Sequence, residues 1–303
     1  MHSFTVKEPM ILFEALQKGL GAKREKIKSL LRHKAVSVNG TVISQFNHPV
    51  RPGDTLAVWT DTRLQNPKAR LASAMKVLYE DDAIAVVDKP PGLLTISTDT
   101  VKEKTAFYEL NEYLKAKEFS KRPGRRVPGR RASKQIFIVH RLDREASGLI
   151  VFARTLAAKL KLQGDWSCFE KIYAAVVEGK PERTSGVIET YLKEDDFLRV
   201  YVMNRPAPGA KLSRTHYRVL KSNGRYSLME FKLETGRKHQ IRVHAAEIGH
   251  PIVGEDRYSK ISPPENFKRL ALHACRLTIE HPATGKRTVF ESPVPPAFEA
   301  LVK

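Results

Sequence analysis

Apolar residues in the N-terminal part of the chain recur first at helical and then at alternating spacing. Ile27, Leu30 and Leu31 lie at i, i+3 and i+4, which predicts one buried helix face. The Asn39-Gly40 pair is typical of a type I′ hairpin turn. The predicted elements are helices over Ile11–Lys18 and Arg24–His33, strands over Val36–Val38 and Thr55–Val58, and a return strand from Val42. They predict a small α/β domain over residues 1–62.

Extended patterns dominate after a polar, proline-containing stretch over residues 63–75, which is predicted to be a linker. Helices are predicted over Leu156–Gln163 and His239–Ile248. Strands are predicted over Ala83–Val87, Ile136–Val139, Gly148–Phe152, Ile172–Val177, Thr215–Leu220, Tyr226–Leu233 and Leu272–Glu280, with hairpin turns at Asn223-Gly224 and Ala283–Gly285. Residues 76–303 are therefore expected to form one α+β domain with a large, mostly antiparallel sheet.

The charge of the chain indicates which kind of partner the protein binds. The chain has 53 Lys and Arg against 33 Asp and Glu, a formal net charge of +20. Such an excess attracts a polyanion, so nucleic acid is the favoured partner, although a merely basic surface is the alternative. Residues 121–134, KRPGRRVPGRRASK, are half basic and form either an RNA-contacting arm or a solvated insertion.

Several other classes of protein are disfavoured. No apolar run approaches the roughly 20 residues of a spanning helix, and residues 1–10 lack a signal-peptide core. Cys168 and Cys275 provide neither a disulfide framework nor a metal-binding CxxC pair. His239 and His244 lie five positions apart on a predicted helix and face different directions. We therefore expect a cytoplasmic protein, monomeric by default, that binds no membrane and no metal.

The segment His140 to Gly148, HRLDREASG, is the strongest candidate for a functional site. It lies between two apolar strand patterns, so its charged residues are expected on a loop that a rigid sheet holds at both ends. That arrangement suits an active site. From the residue types alone, a structural loop of salt bridges fits equally well.

This segment resembles the nucleophile motif of the RluA-type pseudouridine synthases, whose aspartate corresponds to Asp143. Further segments match that family in type and order: YEDDAIAVVDKPPGL (Tyr79–Leu93), KIYAAVVEG (Lys171–Gly179), LETGRKHQIRVHAAEIGHPIVG (Leu233–Gly254) and RLALHA (Arg269–Ala274). About fifty N-terminal residues resemble the alpha-L RNA-binding domain. The resemblance implies a pseudouridine synthase-like catalytic domain that isomerises uridine to pseudouridine in structured RNA without a cofactor.

Site residues follow from the same resemblance. Asp143 is implied as the covalent nucleophile. Tyr173 is implied in the proton transfer at carbon five of uracil, although a core strand tyrosine is the alternative. Arg237 is implied as the guanidinium that pairs with Asp143. Because a stacked base must be flipped out of the RNA, Arg141 is expected to enter the vacated stack or to hold phosphates. The residues expected to contact RNA are Arg141, His140, Arg24 and Lys26.

Two departures from the family pattern concern substrate preference and loop geometry. Ala146 stands where threonine is usual, and Glu255, followed by Asp256, stands where aspartate is usual. The attached alpha-L-like domain favours large-subunit ribosomal RNA over transfer RNA as the substrate. Two other functions remain open. One is a non-catalytic RNA-binding factor in ribosome assembly, and the other is a nucleoside glycosidase with Glu145 as its second carboxyl group.

Overall fold

The computed structural model describes residues 2–32, 35–58, 71, 73–98, 100–101, 103–121 and 136–303. The chain divides into two compact units, Met1–Arg70 and Leu71–Lys303. The division lies inside the stretch that the sequence predicts as a linker, most of which is outside the described residues. The predicted basic stretch 121–134 also lies outside them, apart from Lys121.

In the N-terminal unit, two helices pack against a small antiparallel sheet. Ile27, Leu30 and Leu31 are buried in one core with strand residues such as Leu56, as their spacing predicts. Within the described residues the elements are β1 (His2–Thr5), β2 (Met10–Ile11), α1 (Leu12–Leu20), α2 (Arg24–Arg32), β3 (Val36–Val38), β4 (Thr41–Val42), β5 (Pro49–Val50) and β6 (Thr55–Val58). The sheet order is β1-β6-β3-β4, and β2 pairs with β5.

The C-terminal unit is built on a sheet with eleven strands in the described ranges, ordered β13-β12-β14-β15-β11-β16-β10-β8-β7, with β17 on β16 and β9 on β10. The pairing of β10 with β16 is parallel, and the other pairings of these strands are antiparallel. The predicted α+β fold with a mostly antiparallel sheet is confirmed.

Several strands are longer in the structure than the sequence pattern predicts. The strands are β7 (Lys76–Glu80), β8 (Ile84–Lys89), β9 (Phe137–Ile138), β10 (Ser147–Ala153), β11 (Glu170–Glu178), β12 (Ser185–Glu194), β13 (Val200–Met203), β14 (Lys211–Ser222), β15 (Tyr226–Leu233), β16 (Leu272–Glu280) and β17 (Arg287–Glu291). The helices are α3 (Ala106–Lys121), α4 (Leu156–Gly164), α5 (Gln240–Glu247) and α6 (Pro296–Leu301). The sequence pattern misses β12 and β13 because few of their residues are buried.

Helix α3 is also absent from the prediction. Aromatic and charged residues are mixed along it, although Ala106, Leu110 and Leu114 lie at i, i+4 and i+8 and are buried. The signal that could have placed it is Thr105, whose Oγ1 accepts a hydrogen bond from the backbone N–H of Tyr108 at 3.1 Å. A threonine in this position is a common start of a helix.

Strand β10 is the rigid support on which the candidate loop ends. It is buried along its whole length. Gly148, with φ 109°, brings its backbone so close to β16 that a Cβ atom would lie 2.3 Å from the Ala274 carbonyl oxygen. Only glycine tolerates this conformation and this approach. The close contact fixes the end of the loop that carries Asp143.

Candidate active site

Asp143 lies on the loop between β9 and β10, and its side chain is 21% exposed. Thr95 holds the preceding residue from two sides. Its Oγ1 donates to the Leu142 carbonyl oxygen at 2.8 Å and accepts from the Leu142 N–H at 3.2 Å. The backbone of the loop is therefore anchored while the carboxylate remains accessible.

A buried lysine provides a second anchor for this loop. Lys89, at the end of β8, is fully buried. Its Nζ donates to the carbonyl oxygens of Pro90 at 2.9 Å, Leu93 at 2.8 Å and Arg144 at 3.1 Å. Burial lowers the pKa of Lys89 to about 8, even though nearby carboxylates oppose the shift. One ammonium group thus joins the loop after β8 to the loop that carries Asp143.

The guanidinium beside Asp143 belongs to Arg242. Its Nη1 lies 3.5 Å from Asp143 Oδ2. Arg237 is exposed, and its Nε donates to the Leu212 carbonyl oxygen at 3.3 Å. The predicted pairing of Arg237 with Asp143 is therefore wrong. Arg237 belongs to the turn before α5, whereas Arg242 lies on α5 itself, on the face that packs toward the Asp143 loop.

Glu255 and Asp256 hold Arg242 in place. Nε and Nη2 of Arg242 lie 2.6 Å and 2.7 Å from the two carboxylate oxygens of Glu255, and Nη2 lies 3.1 Å from Asp256 Oδ1. Burial disfavours the charge, but the carboxylates outweigh it and raise the pKa of Arg242. The departure at Glu255 thus supplies the carboxylate that fixes the guanidinium in a two-pronged geometry.

His239 completes the surroundings of Asp143. Its Nε2 lies 3.8 Å from Asp143 Oδ2, and its Nδ1 shares a hydrogen bond with the Tyr258 hydroxyl at 2.7 Å. Its backbone is left-handed, with φ 53°, which turns the chain into α5. Burial lowers the pKa of His239, although Asp143 opposes the shift. The ring is therefore expected to be neutral near pH 7.

Tyr173 lies on β11, where the pairing with β16 shifts register between Ile172 and Tyr173. The side chain is half-buried and packs against both main core clusters of the unit. Burial raises the pKa of Tyr173, and the negative charge of Asp143 raises it further. The phenol is therefore protonated near neutral pH and lies within electrostatic reach of Asp143.

Comparison with known proteins decides the family. The model of the RNA pseudouridylate synthase family matches residues 83–247, which include Asp143, Tyr173 and Arg242. The chain belongs to this family. It is an RNA pseudouridine synthase, an isomerase, and the similarity to the RluA type that the motifs indicate is confirmed.

Curated relatives align with the synthase along most of its length. The ribosomal large subunit pseudouridine synthase D of Nitrosomonas europaea is 32% identical, over 92% of this chain and 79% of its own. The RNA pseudouridine synthase YhcT of Bacillus subtilis, whose own function is uncharacterized, is 31% identical, over 96% and 92%. The structure of human RNA pseudouridylate synthase domain containing 4 has a TM-score of 0.57 at 23% identity, covering 74% of this chain and 90% of that one. The structural match shows a shared fold.

The predicted RNA-binding residues of the synthase differ in their surroundings. His140 Nε2 accepts from the Val151 N–H at 3.1 Å, and its ring stacks on Trp166 with centroids 4.2 Å apart. Burial lowers the pKa of His140 to about 3. His140 is half-buried and supports β10 through this hydrogen bond, and its contact with RNA stays a prediction. Arg141 is exposed, two residues before Asp143.

Arg24 and Lys26 are exposed on helix α2 of the N-terminal unit, where the Arg24 guanidinium lies 5.6 Å from the Phe13 ring centroid. Their contact with RNA remains a prediction. Across the described residues, no group of three or more His, Cys, Asp or Glu side chains has the arrangement of a metal site. No helix in those same ranges combines the length and apolar character of a membrane span.

Sequence reasoning missed Gln240, which shapes the turn between β15 and α5. Its Oε1 accepts from the Arg237 N–H at 2.9 Å and from Thr235 Oγ1 at 2.8 Å, and its Nε2 donates to the Arg214 carbonyl oxygen at 3.1 Å and to Thr215 Oγ1 at 2.9 Å. The side chain is almost completely buried. A glutamine at the start of a helix, between Arg237 and Arg242, was the available signal. If its amide is buried, it must have several hydrogen-bond partners, and it then fixes the segments that supply them.

Proposed function

We propose that this synthase isomerises specific uridines of large-subunit ribosomal RNA, with Asp143 as the covalent nucleophile. The observation that carries the proposal is the position of Asp143, a partly exposed carboxylate on an anchored loop, 3.5 Å from the buried guanidinium of Arg242. Relatives named ribosomal large subunit pseudouridine synthase D support this choice of RNA over transfer RNA. Such a substrate is consistent with a cytoplasmic enzyme.

The chemistry needs few groups. The bond between ribose and the ring nitrogen of uracil breaks, the base turns, and a new bond forms at carbon five. A carboxylate can hold one fragment covalently during this exchange. Carbon five then loses a proton while the ring nitrogen freed from ribose gains one, and we assign Tyr173 to this transfer as a protonated phenol that releases its own proton as it takes up the one from carbon five. The reaction changes no oxidation state and releases no group, so it requires no cofactor.

RNA recognition is assigned to positive side chains around the site and on the N-terminal unit. A base within folded RNA must leave its stack to reach Asp143. Arg141 is exposed on the same loop, and we assign it to enter the gap or to bind flanking phosphates. The N-terminal unit is assigned the alpha-L-like RNA-binding role, with Arg24 and Lys26 facing solvent.

Asp143→Asn tests the proposal, and Glu145→Gln is its matched control. Glu145 lies on the same loop, and its carboxylate is 47% exposed beside Arg144. Both proteins are assayed on an unmodified large-subunit ribosomal RNA transcript for pseudouridine yield, RNA affinity and thermal stability. We expect Asp143→Asn to fold and bind RNA but to form no pseudouridine, and Glu145→Gln to remain active.

Pseudouridine formed by a folded Asp143→Asn protein would remove the nucleophile assignment. Free uracil in place of pseudouridine, together with an inactive Glu145→Gln protein, would instead identify a glycosidase. Pseudouridine mapping in cellular RNA with and without the synthase separates ribosomal from transfer RNA targets.

A further inference from the structure

The hairpin formed by β12 and β13 packs against α5, the helix that carries Arg242. Close to its tip, Leu192 and Val200 are buried against Val243, the neighbour of Arg242 on α5. Tyr258 packs against the same cluster. The strand ends that carry the tip are therefore part of the same packed structure that positions Arg242 beside Asp143.

The tip of this hairpin, residues 195–199, is closed by its own hydrogen bonds. Asp195 Oδ1 accepts from the Phe197 N–H at 3.0 Å and from the Arg199 N–H at 2.8 Å. The Leu198 N–H donates to the Asp195 carbonyl oxygen at 3.0 Å. Leu198 has a left-handed backbone, with φ 61°, a conformation that a non-glycine residue adopts only when its surroundings impose it. The tip is thus a defined structure.

Lys238 and Tyr258 hold the hairpin tip. Lys238 Nζ donates to the Leu198 carbonyl oxygen at 3.0 Å and also pairs with Glu194. The Val200 N–H donates to the Tyr258 hydroxyl at 3.3 Å, which is the hydroxyl bonded to His239. Since His239 approaches Asp143, a continuous series of contacts joins the tip to the catalytic carboxylate.

On this fixed tip, the apolar Phe197 and Leu198, the basic Arg199 and the acidic Asp196 face solvent. Phe197 is 90% exposed and Leu198 is 61% exposed. Arg199 is exposed beside them, and its Nη2 donates to the carbonyl oxygen of Arg257, whose own side chain is also exposed. A large aromatic ring gains nothing from this position in the isolated protein, because exposure of apolar surface to water is unfavourable.

We propose that Phe197 stacks on a nucleobase of the RNA next to the target uridine, a role that rests on the proposed function of the Asp143 site. Aromatic side chains bind unstacked bases in this way, and neighbouring guanidinium groups bind the phosphates between them. Arg199 and Arg257 supply such groups at the tip. The net charge of +20 favours RNA over an apolar protein surface as the occupant.

The test compares Phe197→Ala with Phe197→Trp, which keeps an aromatic face. Leu160→Ala is the matched control, because Leu160 is a 60% exposed apolar residue on α4, outside the hairpin. Affinity and kcat/KM are measured on an unmodified large-subunit ribosomal RNA transcript. The same transcript with 4-thiouridine is crosslinked to the full chain by light, and the attachment site is mapped on the tryptic peptide Glu194–Arg199.

Phe197→Ala is expected to weaken RNA binding and kcat/KM by about tenfold, within the range known for stacking on one base. Phe197→Trp should keep both the RNA affinity and kcat/KM near wild type, and Leu160→Ala should stay within about twofold in both. The thermal stability of all three variants should not change. Equal affinity and kcat/KM of wild type and Phe197→Ala, or a Phe197→Trp protein as weak as Phe197→Ala, would overturn the stacking role. A wild type that binds the transcript through Phe197 without forming pseudouridine would instead reject the proposed substrate and leave the stacking in place.

Discussion

We expect the Arg242 side chain to serve both turnover, through Asp143, and the stability of the fold, and substitutions can separate the two roles. Its side chain is 6% exposed, and the Glu255 side chain that it binds is 0% exposed. Arg242→Met would leave the Glu255 carboxylate buried without its cation. Loss of one member of such a pair costs about 3–5 kcal/mol, so we expect the free energy of unfolding to fall by that amount.

The double variant Arg242→Met, Glu255→Leu removes both buried charges. Replacement of a buried pair by apolar residues of similar volume is often neutral for stability, and Asp256, with a side chain that is 75% exposed, stays solvated. We therefore expect most of the lost stability to return. Asp143 still lacks its guanidinium partner in this protein, so kcat should remain about a hundredfold or more below wild type.

Arg237→Met is the matched control, because Arg237 is an exposed arginine on the turn before the same helix. Its stability should stay within about 0.5 kcal/mol of wild type, and its kcat should change little. Urea unfolding and single-turnover pseudouridine formation are measured for all variants. Recovery of kcat together with stability in the double variant would show that Arg242 serves only the fold. An Arg237→Met protein that is stable but inactive would return the catalytic assignment to Arg237.

Three other changes test further parts of the proposal. Tyr173→Phe keeps the ring and removes the hydroxyl, so RNA affinity should stay within about twofold while turnover falls by about a hundredfold; unchanged turnover would exclude the phenol from the chemistry. Lys89→Met leaves carbonyl oxygens of two loops without their donor, and turnover should fall because the Asp143 loop is no longer fixed. Burial lowers the pKa of Lys89 from its ordinary 10.5 to about 8 in the folded protein. Between these two pH values, the Lys89 amine is protonated in the unfolded chain but not in the folded chain. The stability of wild type relative to Lys89→Met should therefore rise with pH across this window, by up to about 3 kcal/mol, and a difference independent of pH would refute the assignment. Removal of residues 1–70 should leave a folded C-terminal unit that binds ribosomal RNA more weakly, and equal affinity at moderate salt would argue against an RNA-binding role for the N-terminal unit.

Local sequence determined the elements whose side chains interact with near neighbours. Ile27, Leu30 and Leu31 define the buried face of α2 because a helix brings such positions together whatever surrounds it. Asn39 and Gly40, with φ 50° and 82°, form the predicted hairpin turn because few other residues accept that backbone. The resemblance at Asp143 likewise identified the loop, since its motif is continuous in the chain.

The tertiary structure decided which groups meet at that loop. Arg237 and Arg242 lie in one motif, and only the direction of α5 places the second beside Asp143. Glu255 reaches Arg242 from a later turn, and Lys89 reaches the Arg144 carbonyl across 55 positions of sequence. Such contacts depend on strand order and on how each helix packs on the sheet. Strand order and helix packing cannot be read from residue type and spacing, because both are set by burial of the whole apolar surface at once.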